Sequence, residues 1–331
     1  MSDFAVFIEN KSYLPFTYPY LQILTKMGAD ITIYTLEELE LPDIDKSKIL
    51  IFQNKKELNK SLASLSCDYF LTTTPGIGNF YFQKSKNFPK KNRPKYIYFF
   101  HSLVSPNENY VEKSFSGFDY ILSPNKLITD QLKYLVKDKS TQIFTVGYQY
   151  LRKNDHVNNF KTGNILLAPS WGENNLFSIG NKEQLLNLVN KLKDSGLNVY
   201  LRPHPMEFER VKTLKDFFQV YFYLDYIVDY TNFDYLITDW SGISLEFFYS
   251  TSNPVGFVNT SKKQRRKLQS RESNLELIEN QIIEKIGPKL NLENLDINKL
   301  LKFSYSSSDY IDNLFQPEFN KIQVENLLRN L

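Results

Sequence analysis

The sequence is poor in cysteine, histidine and glycine, and each shortage closes off a class of chemistry. A single cysteine, Cys67, allows no intramolecular disulfide; it borders an apolar run, so it reads as a thiol in a reducing compartment. The 3 histidines, His101, His156 and His204, never fall at helical spacing, and neither a cysteine cluster nor a calcium loop accompanies them. No metal or other cofactor is therefore expected. Among 12 glycines there is no Gly-x-Ser-x-Gly elbow to support a hydrolase. The turn Thr72-Thr73-Thr74-Pro75-Gly76-Ile77-Gly78 is neither a P-loop nor a complete dinucleotide fingerprint, and it reads as an acceptor-side turn. Charge of one sign is missing too: 40 basic against 37 acidic residues give +3, far from the footprint of a nucleic-acid binder. No window approaches the roughly 18 apolar residues of a membrane span. Met1-Ser2-Asp3-Phe4 lacks the basic start and apolar stretch of a signal peptide. A cytoplasmic protein is expected, with any membrane contact peripheral and at the inner face of the plasma membrane.

What remains is an ordinary globular composition, 42% hydrophobic and 23% charged, over 331 residues. That length suits two domains of roughly 150 residues each, with a cleft between them. Short apolar runs alternate with amphipathic ones, the pattern of strands and crossover helices in a parallel α/β sheet. Strands are predicted at Phe4–Ile8, Ile31–Tyr34, Ile49–Phe52, Tyr69–Thr72, Tyr96–Phe100, Tyr120–Leu122 and Ile143–Val146. Helices are predicted at Tyr18–Met27, Lys56–Leu65 and Leu127–Val136. The polar stretch 152–159 marks a boundary, giving domains at 1–155 and 156–331. The second series begins at Asn164-Ile165-Leu166-Leu167-Ala168-Pro169 and predicts strands at Asn198–Leu201, Tyr235–Thr238 and Val255–Val258, and helices at Glu183–Lys193, Phe208–Phe218 and Ile243–Tyr249. Gly196 is positioned to cap the first of these helices.

Parallel sheets bind ligands beyond the carboxyl ends of their strands, which directs attention to four loops. The strand at 96–100 delivers His101, where the alternatives are a core histidine and a general base able to take a proton from a hydroxyl. Ala168-Pro169-Ser170-Trp171 opens the second domain, with Trp171 placed either to stack on a base or sugar or to cover a domain interface. In Arg202-Pro203-His204-Pro205 the prolines favour extended backbone. Arg202 and His204 then share a side, as a fork for phosphate or carboxylate and a donor, or as a surface ion pair. Asp239-Trp240-Ser241-Gly242-Ile243-Ser244 runs from a strand into a helix, whose first N–H groups favour an anion. Gly242 would admit a phosphate, and Asp239 or Ser241 would alternatively cap the helix. Two basic stretches, 84–95 and 261–267, read either as solvated faces or as contacts with an anionic leaflet.

In this order and spacing the four loops resemble the CDP-glycerol glycerophosphotransferase family, the teichoic-acid type of GT-B transferases, over about Tyr96 to Asn259. Gly147-Tyr148 with Arg152 and Asp155 is similar to a further stretch of that family. The resemblance implies a GT-B fold, two Rossmann-like parallel-sheet domains facing a cleft, with the nucleotide donor on the C-terminal one. It implies transfer of a polyol phosphate from a CDP-linked donor to a glycan or lipid-linked hydroxyl, in teichoic acid, capsule or lipopolysaccharide synthesis. His101 would be the base; Arg202, His204 and the helix start at Ser241-Gly242 would hold the diphosphate, with Ser170, Trp171, Asp239, Trp240 and Ser244 in the donor site. The chain has Ser102 where the family usually has glycine, Gly242 in place of a second serine, and Gly172 where a basic residue often follows the tryptophan. Those departures leave open a GT-B glycosyltransferase using a CMP- or UDP-activated sugar. An epimerase of the same fold and a non-catalytic assembly partner are the remaining alternatives.

Overall fold

The computed structural model describes residues 2–41, 44–45, 48–76, 93–150, 161–172, 175–176, 182–208, 220–223, 228–239, 241–258, 277–304 and 319–331. His156, Arg152, Asp155, Trp240, nearly all of the 208–218 helix and most of both basic stretches lie outside them. The first domain carries β1 (Asp3–Ile8), α1 (Leu14–Lys26), β2 (Asp30–Thr35), β3 (Ile49–Ile51), α2 (Lys55–Leu62) and β4 (Tyr69–Thr72). It continues with β5 (Lys95–Phe99), α3 (Pro106–Asn109), β6 (Tyr120–Ser123), α4 (Lys126–Leu135) and β7 (Gln142–Thr145). Its seven strands are parallel in the order β3-β2-β1-β4-β5-β6-β7.

The second domain comprises β8 (Asn164–Leu167), α5 (Lys182–Asp194), β9 (Asn198–Leu201), β10 (Tyr221–Phe222), β11 (Tyr235–Thr238), α6 (Ile243–Thr251) and β12 (Val255–Val258). After these come α7 (Ile278–Ile282), β13 (Lys289–Leu290), α8 (Asn298–Leu301) and α9 (Lys321–Asn330). Six parallel strands take the order β10-β9-β8-β11-β12-β13, so each sheet reverses its winding beside its first strand. The fold is GT-B: two Rossmann-like sheets, each with a topological switch point where ligands bind.

Local sequence accounts for these elements. Strands β1, β4, β11 and β12 are continuous apolar runs because helices cover both faces of a parallel sheet, and Leu71, Leu236, Ile237 and Val255 are buried. Asn54 and Asn125 start α2 and α4 by accepting from backbone N–H groups, Asn54 from Lys56 and Glu57, Asn125 from Ile128. Gly196, at φ +79°, ends α5 in the left-handed conformation that glycine adopts without strain.

One apolar core runs through both domains, joining Tyr98, Phe115 and Phe118 to Tyr230, Phe247 and Phe248. The last helix also crosses back. In α9, Glu325 pairs with Lys26 of α1 at 2.8 Å, while just before it Asn320 N donates to Val146 O at 3.1 Å and Phe319 meets Tyr20. The C-terminal segment therefore packs on the first domain. Among the described residues no helix is long and apolar enough to cross a membrane.

Candidate active site

On the first sheet the switch point lies between β1 and β4, and a hydrogen bond from Thr74 to Glu9 spans it. Thr74 Oγ1 donates to Glu9 Oε2 at 3.0 Å, and Thr74 N donates to Thr72 Oγ1 at 3.0 Å. One strand along, His101 follows β5, with its Nδ1 2.8 Å from Thr73 Oγ1 and its ring against the edge of Tyr13 at 4.7 Å between centroids. The ring is half-buried, and burial pushes its pKa down to about 4, a hydrogen bond to the Thr73 backbone being the smaller, opposing influence. The sequence suggests a histidine near neutrality. The difference arises because the ring's polar partner is a threonine rather than a carboxylate, which leaves burial unopposed by a negative charge.

On the second sheet the switch point lies between β8 and β11, and Asp239 bridges it. Its carboxylate is buried and accepts from Ser170 N and Leu176 N, both at 2.8 Å. Asp239 thus ties Ser170 and Leu176 to the end of β11. Asp239→Asn would place an amide N–H₂ against one of those donors. A stability loss of about 1–3 kcal/mol is expected by urea denaturation.

The loop that Asp239 holds presents Ser170 and Trp171. Ser170 Oγ is buried with no hydrogen-bond partner among the described residues, a type of group that ligands satisfy. Trp171 is 49% exposed and packs on His204, their ring centroids 5.8 Å apart at 35°. His204 Nδ1 accepts from Met206 N at 3.2 Å, so the neutral ring carries its proton on Nε2 and is a donor there. Glu207 Oε1 accepts from Gly172 N at 3.1 Å and ties this hook to the tryptophan loop.

Arg202 continues β9, its N–H bonded to Leu167 O at 2.9 Å, and its guanidinium lies 5.8 Å from the centre of the Tyr223 ring. Its charge also acts on a buried cluster. Glu246 of α6 is buried and accepts from Tyr148 OH at 2.8 Å and Tyr230 OH at 2.7 Å. Burial raises the Glu246 pKa, while the two tyrosines and then Arg202 oppose that rise.

The start of α6 has Gly242 as its N-cap, a residue with no side chain to cap it. Ser244 Oγ instead donates to Ser241 O at 2.8 Å. The N–H groups of this helix start favour an anion. Gly242 itself has φ −59°, so its need for glycine is spatial: a Cβ there would lie 3.1 Å from Leu103 N and 3.3 Å from Val104 Cγ1. The space read from sequence as room for a phosphate faces the loop that follows His101. The same loop is clamped from α7: Ser105 N and Oγ both donate to Glu279, and Ile278 N donates to Ser105 Oγ at 2.8 Å.

The structure thus brings Leu103 and Val104, in the loop after His101, against the start of α6 across the domain boundary, with Arg202, His204, Ser170 and Trp171 grouped at neighbouring strand ends of the second sheet. Thr73, Glu246 and Glu207 were not singled out from sequence. A visible signal existed for Glu246, the one charged residue in the apolar helix ISLEFFYST. Thr73 lies in the turn read from sequence as acceptor-side, without being distinguished from its neighbours there, and for Glu207 a single sequence carried no signal. Among the described residues no cluster of His, Cys, Asp and Glu is arranged to hold a metal ion.

No protein-family model matches the chain, and no curated protein matches it significantly. Solved structures do. The wall teichoic acid polymerase TagF is similar at TM-score 0.63 and 13% identity, over 99% of this chain and 88% of that one. The Methanocaldococcus jannaschii UDP-GlcNAc 2-epimerase, in complex with UDP-GlcNAc and UDP, is similar at TM-score 0.61 and 15% identity, over 99% and 100%. S. aureus MnaA with UDP is similar at TM-score 0.54 and 14% identity, over 79% and 80%. At these identities the likeness concerns the fold, which is that of the GT-B proteins.

Proposed function

We propose that the chain is a transferase that moves a polyol phosphate, such as glycerol phosphate, from a CDP-linked donor to a hydroxyl of a cell-surface glycan or lipid-linked acceptor. The observation that carries this reading is the approach of the His101 loop to the start of α6, with Leu103 packed on Gly242. That approach supports pairing His101, two residues before Leu103, with the helix start as base and anion site. In the reaction, His101 takes the proton of the acceptor hydroxyl as that oxygen forms a bond to the donor's outer phosphorus. The bond from this phosphorus to the bridging oxygen breaks, and its electron pair leaves on CMP. Arg202, His204 Nε2–H and the N-terminus of α6 meet the charge that develops there, while Ser170 and the open face of Trp171 contact the remainder of the donor. Asp239, Ser244 and Glu207 hold these groups in place, and no metal is assigned a role.

Incubation with CDP-glycerol and a lipid-linked glycan acceptor, followed by mass spectrometry, tests the reading. Release of CMP with a phosphodiester product is expected. A glycoside without phosphate, formed from a CMP- or UDP-activated sugar, would replace this reading with a glycosyltransferase. A thermal-shift screen of CDP, CMP, UDP and GDP should show the largest rise with CDP, since ligand stabilisation grows as RT ln(1 + [L]/Kd). Arg202→Lys keeps the positive charge near Glu246 but loses the planar fork, so CDP affinity should fall about 10-fold with little change in Tm.

A further inference from the structure

We infer that Glu279 is a positioning residue for the proposed transfer: acting through Ser105, it fixes the loop that follows His101 against the start of α6. The inference rests on the reading of His101 as the base, but it concerns a separate observable, the mechanical coupling between this loop and the second domain.

Ser105 precedes α3 as its N-cap, with Pro106 in the first turn. A serine in that place ordinarily accepts from a backbone N–H of its own helix. Ser105 does not: its side chain makes no cap bond, and its hydrogen-bonding groups turn across the domain boundary. Ser105 N donates to Glu279 Oε1 at 3.0 Å, Ser105 Oγ donates to Glu279 Oε2, and Oγ accepts in return from Ile278 N at 2.8 Å. These partners lie 173 and 174 residues away in the sequence. Ser105 is fully buried and Glu279 nearly so. A buried carboxylate that takes both donors of one residue favours a single placement of that residue, because any other strands its oxygens and the two donors together.

Glu279 can serve as an anchor because α7 is tied to the second sheet. Ile278 and Ile282 are buried in the apolar core that also takes up Leu103. Four residues beyond α7, Ile286 O accepts from Val255 N of β12 at 3.0 Å, and β13 then pairs with β12. The helix just before β12 is α6. The start of α6 and Glu279 are thus two points on one scaffold, and the loop after His101 meets both: Leu103 N and Val104 Cγ1 face Gly242, and Ser105 is bonded to Glu279. Removing the second point lets Leu103 recede from Gly242, and a displacement of about 1 Å near a reacting centre can cost about 10²-fold in rate.

A stability cycle tests this coupling without any substrate. In Gly242→Ala the new Cβ would lie 3.1 Å from Leu103 N, so the loop must yield for it to fit. With Glu279 in place the loop is pinned, and Gly242→Ala should lower the urea midpoint. In Glu279→Ala the loop is free to yield, so the same substitution should cost about half as much or less. The helix-propensity effect of Gly242→Ala is common to both backgrounds and cancels. Equal costs in the two backgrounds overturn the inference. If Glu279→Ala does not fold, Ser105→Ala takes its place. It loses the two bonds of the hydroxyl and keeps that of the backbone, so a smaller coupling of the same sign is expected, and its absence overturns the inference.

Kinetics with CDP-glycerol and a lipid-linked glycan acceptor gives the second readout. Glu279→Ala should lower kcat by about 10- to 10²-fold with the donor KM nearly constant, since Arg202, His204 and Ser170 are untouched. Glu279→Gln keeps an acceptor for Ser105 N and offers an N–H₂ to Ser105 Oγ, so it should restore most of the rate. An unchanged kcat in folded Glu279→Ala overturns the inference, as does a Glu279→Gln variant as slow as the alanine one. The two failures are distinguishable. Absence of transfer by the wild type would defeat the proposed reaction and with it the positioning role, whereas additive costs in the stability cycle would defeat the positioning role alone.

Discussion

His101→Ala is expected to lower the rate of transfer by about 10²–10⁴-fold while CDP-induced thermal stabilisation stays at its wild-type value. The two readouts separate because His101 stands on the first sheet, whereas Arg202, His204, Ser170 and Trp171 belong to the second. The pH dependence should be equally distinctive. Burial pushes the His101 pKa down to about 4, so in the free protein the ring is neutral, and able to accept a proton, throughout the range above that value. The profile of kcat/KM, which reports the free enzyme, should therefore be flat through pH 6.5, where an ordinary histidine would produce an acid limb. In the proposed complex the donor diphosphate would bring negative charge toward the ring and favour imidazolium. The acid limb of kcat, which reports the complex, should accordingly lie above that of kcat/KM. Coincident limbs near 6.5 in both profiles would mean that burial does not lower the pKa of this ring.

The strands were legible because parallel sheets demand continuous apolar runs: Tyr235–Thr238 and Val255–Val258 have the ends that the pattern predicts. Helix starts were less so. The apolar spacing places the first helix at Tyr18, yet it begins at Leu14, because Pro15 sits in the first turn, where no intrahelical N–H is needed, and Pro19 is accommodated further on. Strand ends also pointed to His101, Arg202, His204 and the 239–244 turn, since a chemically rich residue after an apolar run is visible locally. Their partners were not. Thr73 meets His101 across 28 residues and Tyr148 meets Glu246 across 98, and no single sequence records such pairings. Gly242 shows the same limit from the other side. Its lack of a side chain suits a phosphate or a neighbouring backbone equally, and only the fold reveals that Leu103 occupies the space.

Glu246→Ala is expected to cost about 2–5 kcal/mol, because it strands the hydroxyls of Tyr148 and Tyr230, both buried and both donating to this carboxylate. Tyr148 belongs to the first domain and Glu246 to the second, so the loss should appear at the domain interface as well as in the overall denaturation midpoint. Glu246→Gln retains an acceptor for one tyrosine and offers the other an N–H₂ that its oxygen can accept, so its loss should be much smaller. The pair also differs in pH response. Burial raises the folded-state pKa of Glu246 above its ordinary value, so the folded protein holds this proton at a pH where the unfolded chain has released it. The stability that this proton contributes is complete below the ordinary carboxyl pKa and is lost as pH rises through the raised one. Wild type should therefore fall relative to Glu246→Gln across that window, and Arg202, whose charge favours the ionised form, limits the fall. Urea denaturation of Arg202→Ala, with and without Glu246→Gln, measures that limit. Removing the arginine should deepen the pH-dependent loss when Glu246 is present and leave the pH dependence unchanged when it is glutamine.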